Sequence, residues 1–382
     1  MKKRYIMSPG PTEIPAEVLV EAAKPIIHHR TPQYRNVLAE VLEGLKYVFQ
    51  TKNDILIFPS AGTGAMESAV CNLVSPGDKV LVASVGNFGE RWVKIAKAYG
   101  ANVEHLAFQW GYSVDPAKIE EKLKSMPEIS VVYTTLSETS TGVENDIKAI
   151  GKIVQKYNAV LVVDAVSGMA AVEFKTDEWN VDVVVVGSQK GLMLPPGLSF
   201  VSLSNKALEL AKKSVSPKFY FSYESALKSL KAEKLPDTPY TSAVSLIMQL
   251  KEAIKLIRDE GIENIWKRHS KLASATRAGI QALGLKLFPI DSYSNAVTAI
   301  NVPDGIDGSI FTKKIRDEYG ITLAGGQGQI KGKIFRIGHL GYADTFDVII
   351  AISAVEMALY ELGYPVELGA GVKAAEKELL KK

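Results

Sequence analysis

The chain is poor in the residues that usually announce a site. It has one cysteine, Cys71, and five histidines in 382 residues. A lone cysteine excludes an intramolecular disulfide framework. His28 and His29 are adjacent, but no carboxylate or cysteine stands at a ligand spacing to them, so no metal site is read. Charge of one sign is missing too. Lysine plus arginine number 45 against 42 acidic residues, a net +3 without a basic cluster, which gives nucleic-acid or membrane-surface binding no support. No apolar run is long enough to span a bilayer and no signal peptide is visible, so a cytoplasmic protein is expected. Internal repeats and low-complexity segments are absent. So are a G-x-G-x-x-G after the first strand and a lysine-bearing P-loop, which counts against a nucleotide-binding module.

What remains is an ordinary globular composition, 47% hydrophobic and 23% charged, long enough for about two to three domains. The stretch that organises it is Val181 to Gly197. Val183 to Val186 is a continuous β-branched run, as in a parallel strand buried on both faces. Lys190 follows, just past the strand's carboxyl end, where open α/β sheets bind ligands. A solvated loop cation is the ordinary alternative, but Gly191 to Gly197 is apolar and rigid. A companion strand, Ala159 to Val163, ends directly in Asp164. A lysine and an aspartate at neighbouring strand ends suggest pyridoxal phosphate, which needs an amine to hold it and a carboxylate to keep its ring nitrogen protonated. The pair also fits a structural ion pair unless a phosphate cradle and a stacking ring accompany it.

Upstream, a helix is expected over Arg35 to Phe49 and a strand over Ile55 to Phe58. Pro59 to Glu67 then forms a glycine-containing turn that opens a helix from Met66 to Val74. Such a turn serves equally as a helix cap or as an anion cradle of free N–H groups. Strand Lys79 to Ala83 leads to Phe88 between two glycines, either a core plug or a stacking ring. Strands at 102–107, 130–135 and 198–203, with helices at 116–125 and 147–157, complete about seven strands in one doubly wound sheet.

The set SAGTGAMES, GNFGER, ETSTG, DAVSG, GSQKGLMLPPG and FRIGHLG, in that order along nearly the whole chain, resembles the class V, fold-type I pyridoxal phosphate aminotransferases of the alanine–glyoxylate/serine–pyruvate (serine–glyoxylate) group. The resemblance implies a mostly parallel seven-stranded sheet between helices and a smaller α+β C-terminal domain, divided as 1–20 (extended segment), 21–260 and 261–382. It makes Lys190 the Schiff-base lysine and Asp164 the ring-nitrogen partner. Phe88 matches the stacking aromatic, Val166 the contact on the other ring face and Thr139 a hydroxyl near the ring oxygen. Ala61, Gly62, Thr63 and Gln189 match the phosphate positions. Arg336 matches the grip on the substrate α-carboxylate, with Gly10 on the same substrate side. Thr238, or else Thr241, would reach the phosphate of a neighbouring subunit in a homodimer. Ala61 stands where some members have serine and Thr63 where they have histidine, so the cradle leans more on backbone N–H groups. Phe88 replaces a common tryptophan.

The implied activity is transfer of an amino group from serine or alanine to glyoxylate or pyruvate. The alternatives are a different donor, as in an aspartate or phosphonate aminotransferase, or a lyase of the same fold. A cysteine desulfurase would need a reactive cysteine on a mobile loop, whereas Cys71 reads as core. No second arginine is evidently placed for a side-chain carboxylate, which argues against aspartate or glutamate as donor. Arg30, Arg35 and Arg91 are the residues that could overturn this.

Overall fold

The computed structural model describes residues 2–381. Its centre is a sheet of seven strands: β1 (Asp54–Phe58), β2 (Lys79–Ser84), β3 (Asn102–Ala107), β4 (Val131–Thr135), β5 (Val160–Asp164), β6 (Val183–Gly187) and β7 (Ser199–Leu203), in the order β1-β7-β6-β5-β4-β2-β3. The expected α/β sheet is present and mostly parallel. Its one departure is β7, which runs antiparallel to both β1 and β6. Two reversals cancel, so β1 regains the direction of β6, and every strand except β7 ends at the same edge.

The continuous apolar runs are explained by packing on both faces. In β5, Leu161 and Val163 enter one hydrophobic core while Val160 and Val162 enter the other. In β6, Val184 and Val186 divide from Val183 and Val185 in the same way. A strand covered on both sides has no solvated face, so the polar alternation of a surface strand disappears. The chain turns polar only where it leaves the sheet, and the carboxyl edge therefore collects its functional side chains.

A second sheet of β8 (Val297–Asn301), β9 (Ala324–Gly325) and β10 (Ile334–Gly338), in the order β8-β10-β9, packs with helices Thr345–Glu361 and Ala370–Leu379 around a separate core. Helix Ile262–Ala282 belongs to both regions. Ile262 and Ile265 enter the large core, and Leu272, Ala275 and Ile280 the small one. The N-terminal segment bridges them as well. Tyr5–Ile6 pairs in parallel with Ile321–Thr322, Gly338 N donates to Met7 O at 2.7 Å, and Thr12 N donates to Gln189 O at 3.1 Å.

Helix boundaries differ from expectation: the helix expected over 147–157 ends at Val154, and the one expected from Arg35 begins at Pro32. The helix expected from Met66 runs over Gly62–Leu73, because Ala61 is extended and the glycine turn is itself the first helical turn. In the smaller region a helix runs over Gly308–Lys314. One π turn, Ile315–Tyr319, follows before Gly320 stops it in the left-handed region at φ 77°.

Close packing of helix Ile147–Val154 on the chain beneath it depends on Gly151, where a Cβ would overlap the backbone carbonyl of Trp179. Backbone cannot rotate away from such a clash. Gly151→Ala should therefore cost about 1–3 kcal/mol, seen as a lower thermal unfolding midpoint. An unchanged midpoint would mean that the helix moves off the sheet freely.

Candidate active site

The carboxyl ends of β1, β2, β4, β5 and β6 surround a cavity of about 300 Å³. Gly10, Ala61, Gly62, Thr63, Phe88, Thr139, Asp164, Val166, Gln189 and Lys190 all line it. The structure thus gathers residues from five separate strand ends and from the N-terminal segment into one place. Arg336, Thr238 and Thr241 do not line it.

Lys190 is 8% exposed, and its amine donates to the carbonyl of Pro9. Gly10 lies against the same side chain: a Cβ there would stand 2.5 Å from Lys190 Cδ and Cε, at a backbone φ of +137°. Burial, and then the Arg336 guanidinium, lower the lysine to about 8. Asp164 is also buried, with one carboxyl oxygen accepting from Val166 N at 2.8 Å. Burial pushes its carboxyl up to about 6, the Val166 N–H opposes that, and the nearby Glu138 carboxylate adds to it. Between those two values both groups are charged, so the cavity holds an amine and a carboxylate out of water near neutral pH.

The helix Gly62–Leu73 points its N-terminus into the cavity, and Ala61 supplies no side-chain cap. Gly64 N and Ala65 N donate to Ala61 O at 2.8 and 3.3 Å, which leaves the N–H groups of Gly62 and Thr63 for an anion. Gly62 is required by its neighbour, since a Cβ would lie 2.9 Å from Val166 Cγ2. Gln189 Oε1 is buried with no partner among the described residues. Thr139 and Ser167 share a hydrogen bond between their hydroxyls.

Arg336 is 4% exposed, not solvated as an alternating strand charge usually is. Its position in β10 between β8 and β9 covers it. Its guanidinium donates to Gly325 O at 3.1 and 2.7 Å and to Thr139 O at 2.8 Å, and no carboxylate shares those bonds. Burial lowers it to about 10. A guanidinium bonded only to carbonyls stands next to the cavity, its charged form favoured by the Glu138 carboxylate.

Glu138 carries no sequence signal beyond its place in the ETSTG stretch. It is fully buried and accepts from Phe88 N at 3.3 Å, Gly89 N at 2.8 Å, Ser140 N at 3.1 Å and Ser140 Oγ at 2.5 Å. It caps the helix Gly89–Ala98 from outside and so holds Phe88 at the cavity wall. No local spacing signals such a long-range cap. Arg91 stands in the wall as well. Arg30 and Arg35 pair with Asp237, and Arg35 also with Glu233 at 2.5 Å, so neither is available to a ligand. Thr238 is half-buried and donates to Tyr240 O at 2.6 Å, while Thr241 is exposed. Cys71 is core, its thiol pushed up to about 12 by burial, and it does not reach the cavity.

The family model described as Aminotransferase class-V matches residues 4–335. L-aspartate–glyoxylate aminotransferase of Paracoccus denitrificans is 40% identical, over 97% of this chain and 95% of its own. Serine–glyoxylate aminotransferase of Arabidopsis thaliana is 38% identical, over 99% and 95%. Among solved structures, the ureidoglycine–glyoxylate aminotransferase of Bacillus subtilis superposes with a TM-score of 0.95 at 30% identity, covering 100% of this chain and 99% of that one.

The contact between Gly10 and Lys190 can be tested directly. Gly10→Ala should displace the lysine side chain and reduce turnover by about two orders of magnitude, the scale of a 1 Å misplacement of a reacting group. Thermal stability should fall far less than this loss of rate would suggest. Wild-type turnover in the variant would mean that the N-terminal segment does not constrain Lys190.

Proposed function

The chain belongs to the class-V aminotransferases, and we propose that it moves an amino group from a small amino acid, serine or alanine, to a small 2-oxo acid, glyoxylate or pyruvate, with pyridoxal 5'-phosphate as cofactor. One arrangement carries this reading. A buried amine and a buried carboxylate occupy one cavity, and a buried guanidinium bonded only to carbonyls lies against its wall. The residues fit the cofactor. The unpartnered Gln189 Oε1 and the side-chain-free Gly62 leave polar and steric room beside an uncapped helix N-terminus, and the donor set is an amine with a carboxylate.

When bound, pyridoxal phosphate supplies a protonated ring that accepts the electron pair of a substrate α-carbon. Lys190 would hold it and, once released, take the α-proton and return it. An amine lowered to about 8 is a better base near neutrality than an ordinary lysine. Asp164 would pair with the ring nitrogen, Phe88 and Val166 would cover the two faces, and Thr139 would stand near the ring oxygen. Ala61, Gly62, Thr63 and Gln189 would face the phosphate. Arg336 would bind the α-carboxylate in a planar fork, with Gly10 beside it. Amino acid and 2-oxo acid share that carboxylate, so one site serves both half-reactions in turn and ping-pong kinetics should result.

Donor choice rests on charge. The enzymes of Paracoccus denitrificans, Arabidopsis thaliana and Bacillus subtilis bear glyoxylate in common and differ in donor. Serine or alanine is favoured because Arg30 and Arg35 are consumed by carboxylates of the chain itself and Arg91 lies against the phosphate turn, bonded to Thr63. We also propose a cytoplasmic homodimer with shared sites. Thr238 and Thr241 lie outside their own cavity, and the exposed Phe219 and Tyr220 form an apolar face where Tyr220 bonds to Pro59 O. Inactive Lys190→Ala mixed with an inactive Thr238 variant should regain activity if sites are shared. A fully active monomer would end that idea.

Borohydride treatment of a yellow preparation should bleach it and leave the label on Lys190, while Lys190→Ala loses transamination. A colourless protein that binds no pyridoxal phosphate would refute the cofactor. Donors tested against glyoxylate and pyruvate should place serine or alanine first, and aspartate first would overturn the donor. Arg336→Lys should lower kcat/KM by about one to two orders of magnitude, since charge-assisted bonds contribute roughly 1.5–3 kcal/mol. Both half-reactions should suffer alike, and unaltered kinetics would place the carboxylate elsewhere.

A further inference from the structure

We infer that Arg91 is the cation that binds the cofactor phosphate in this chain, an inference that rests on reading the cavity as a pyridoxal phosphate site. A phosphate ester carries close to two negative charges at neutral pH. The turn that would receive it carries no charge of its own: Ala61 has no polar side chain, and the helix from Gly62 offers backbone N–H groups and the neutral Thr63 hydroxyl, with the neutral Gln189 amide beside them. A helix end supplies only about half a positive charge. A full cation is needed nearby.

Among the described residues, the cations that line the cavity are Lys190 and Arg91. Lys190 is bonded to Pro9 O and serves the reacting carbon in the proposed mechanism. Arg336 lies behind the wall, bonded to Gly325 O and Thr139 O, and serves the substrate α-carboxylate in the proposed mechanism. Arg91 remains. Its Nη1 donates to Thr63 Oγ1 at 2.9 Å, which puts the guanidinium beside the first turn of that helix. The guanidinium also lies 4.8 Å from the centroid of the Phe88 ring, which keeps it on the wall. Half-buried, it has no carboxylate partner among the described residues, unlike Arg30 and Arg35. Five N–H donors with one bond to Thr63 leave most of the fork for an anion. Phe88 and Arg91 share the helix that Glu138 caps, so ring contact and phosphate contact are positioned by one buried carboxylate.

Equilibrium titration of the cofactor-free protein with pyridoxal phosphate and with pyridoxal, which lacks the phosphate, isolates this contact. Arg91→Gln should bind pyridoxal phosphate about 10- to 100-fold more weakly while its pyridoxal affinity changes by no more than about twofold. Arg91→Lys, which keeps the charge without the fork, should fall between. Equal weakening of both ligands, or of neither, would overturn the inference. Should Arg91→Gln fail to fold by circular dichroism, Arg91→Lys carries the same comparison: selective loss of pyridoxal phosphate affinity supports the inference, and equal loss or none overturns it. A selective rise in KM for aspartate with unchanged cofactor affinity would reassign Arg91 to a donor's distal carboxylate and also overturn it. A wild-type protein that binds no pyridoxal phosphate would instead remove the cofactor reading, so the two failures are distinct.

Discussion

An amine and a carboxylate buried in one cavity, Lys190 and Asp164, are the constraint to which the rest of the molecule answers. Neither charge is cheap to take out of water, and near neutrality both persist. The protein holds them by placing each at or just beyond the end of a strand covered on both faces. The apolar strands β5 and β6 fix the backbone, and the polar groups needed at the ends are then presented in a shaped cavity. A site on a flexible loop could not keep two opposed charges apart and ready for a ligand.

The second structural theme is reach. The N-terminal segment pairs with Ile321–Thr322, bonds to Gly338 and then passes Lys190, where Pro9 accepts from the amine and Gly10 leaves room for its stem. Arg336, from the small sheet, bonds to Thr139 in the large region. The lysine's surroundings are therefore built from both regions at once. Movement of the small region against the large one would alter the amine, the guanidinium and the cavity together, a coupling suited to a reaction whose two substrates share a carboxylate.

Electrostatically the cavity is arranged for anions on more than one side. It has a helix N-terminus without a side-chain cap, a wall arginine with no carboxylate partner among the described residues and a guanidinium lodged among carbonyls. Glu138 balances this from beneath. Its carboxylate receives the amides of Phe88 and Gly89, and its charge favours the protonated state of both Lys190 and Arg336. One fully buried residue thereby fixes the aromatic wall and moderates the positive potential.

Much of this is readable in the chain without coordinates. Two-sided burial erases polar alternation, so VVVVG and VLVVD declare themselves as central strands, and the polar residues that end such runs, Asp164 and Lys190, stand out by contrast. Order along the chain, from the glycine turn at 61–63 to the arginine at 336, carries the family resemblance. Sequence cannot decide the direction of β7, because a buried strand reads the same whichever way it runs. Nor can it find Glu138 as a cap for residues some 50 positions earlier, or distinguish Arg91 from Arg30 and Arg35. Whether an arginine is neutralised depends on which carboxylates the fold brings to it. Asp237 comes to Arg30 and Arg35 from some 200 residues away, and among the described residues none comes to Arg91. That difference exists only after long-range contacts have formed, and so it is settled by tertiary structure alone.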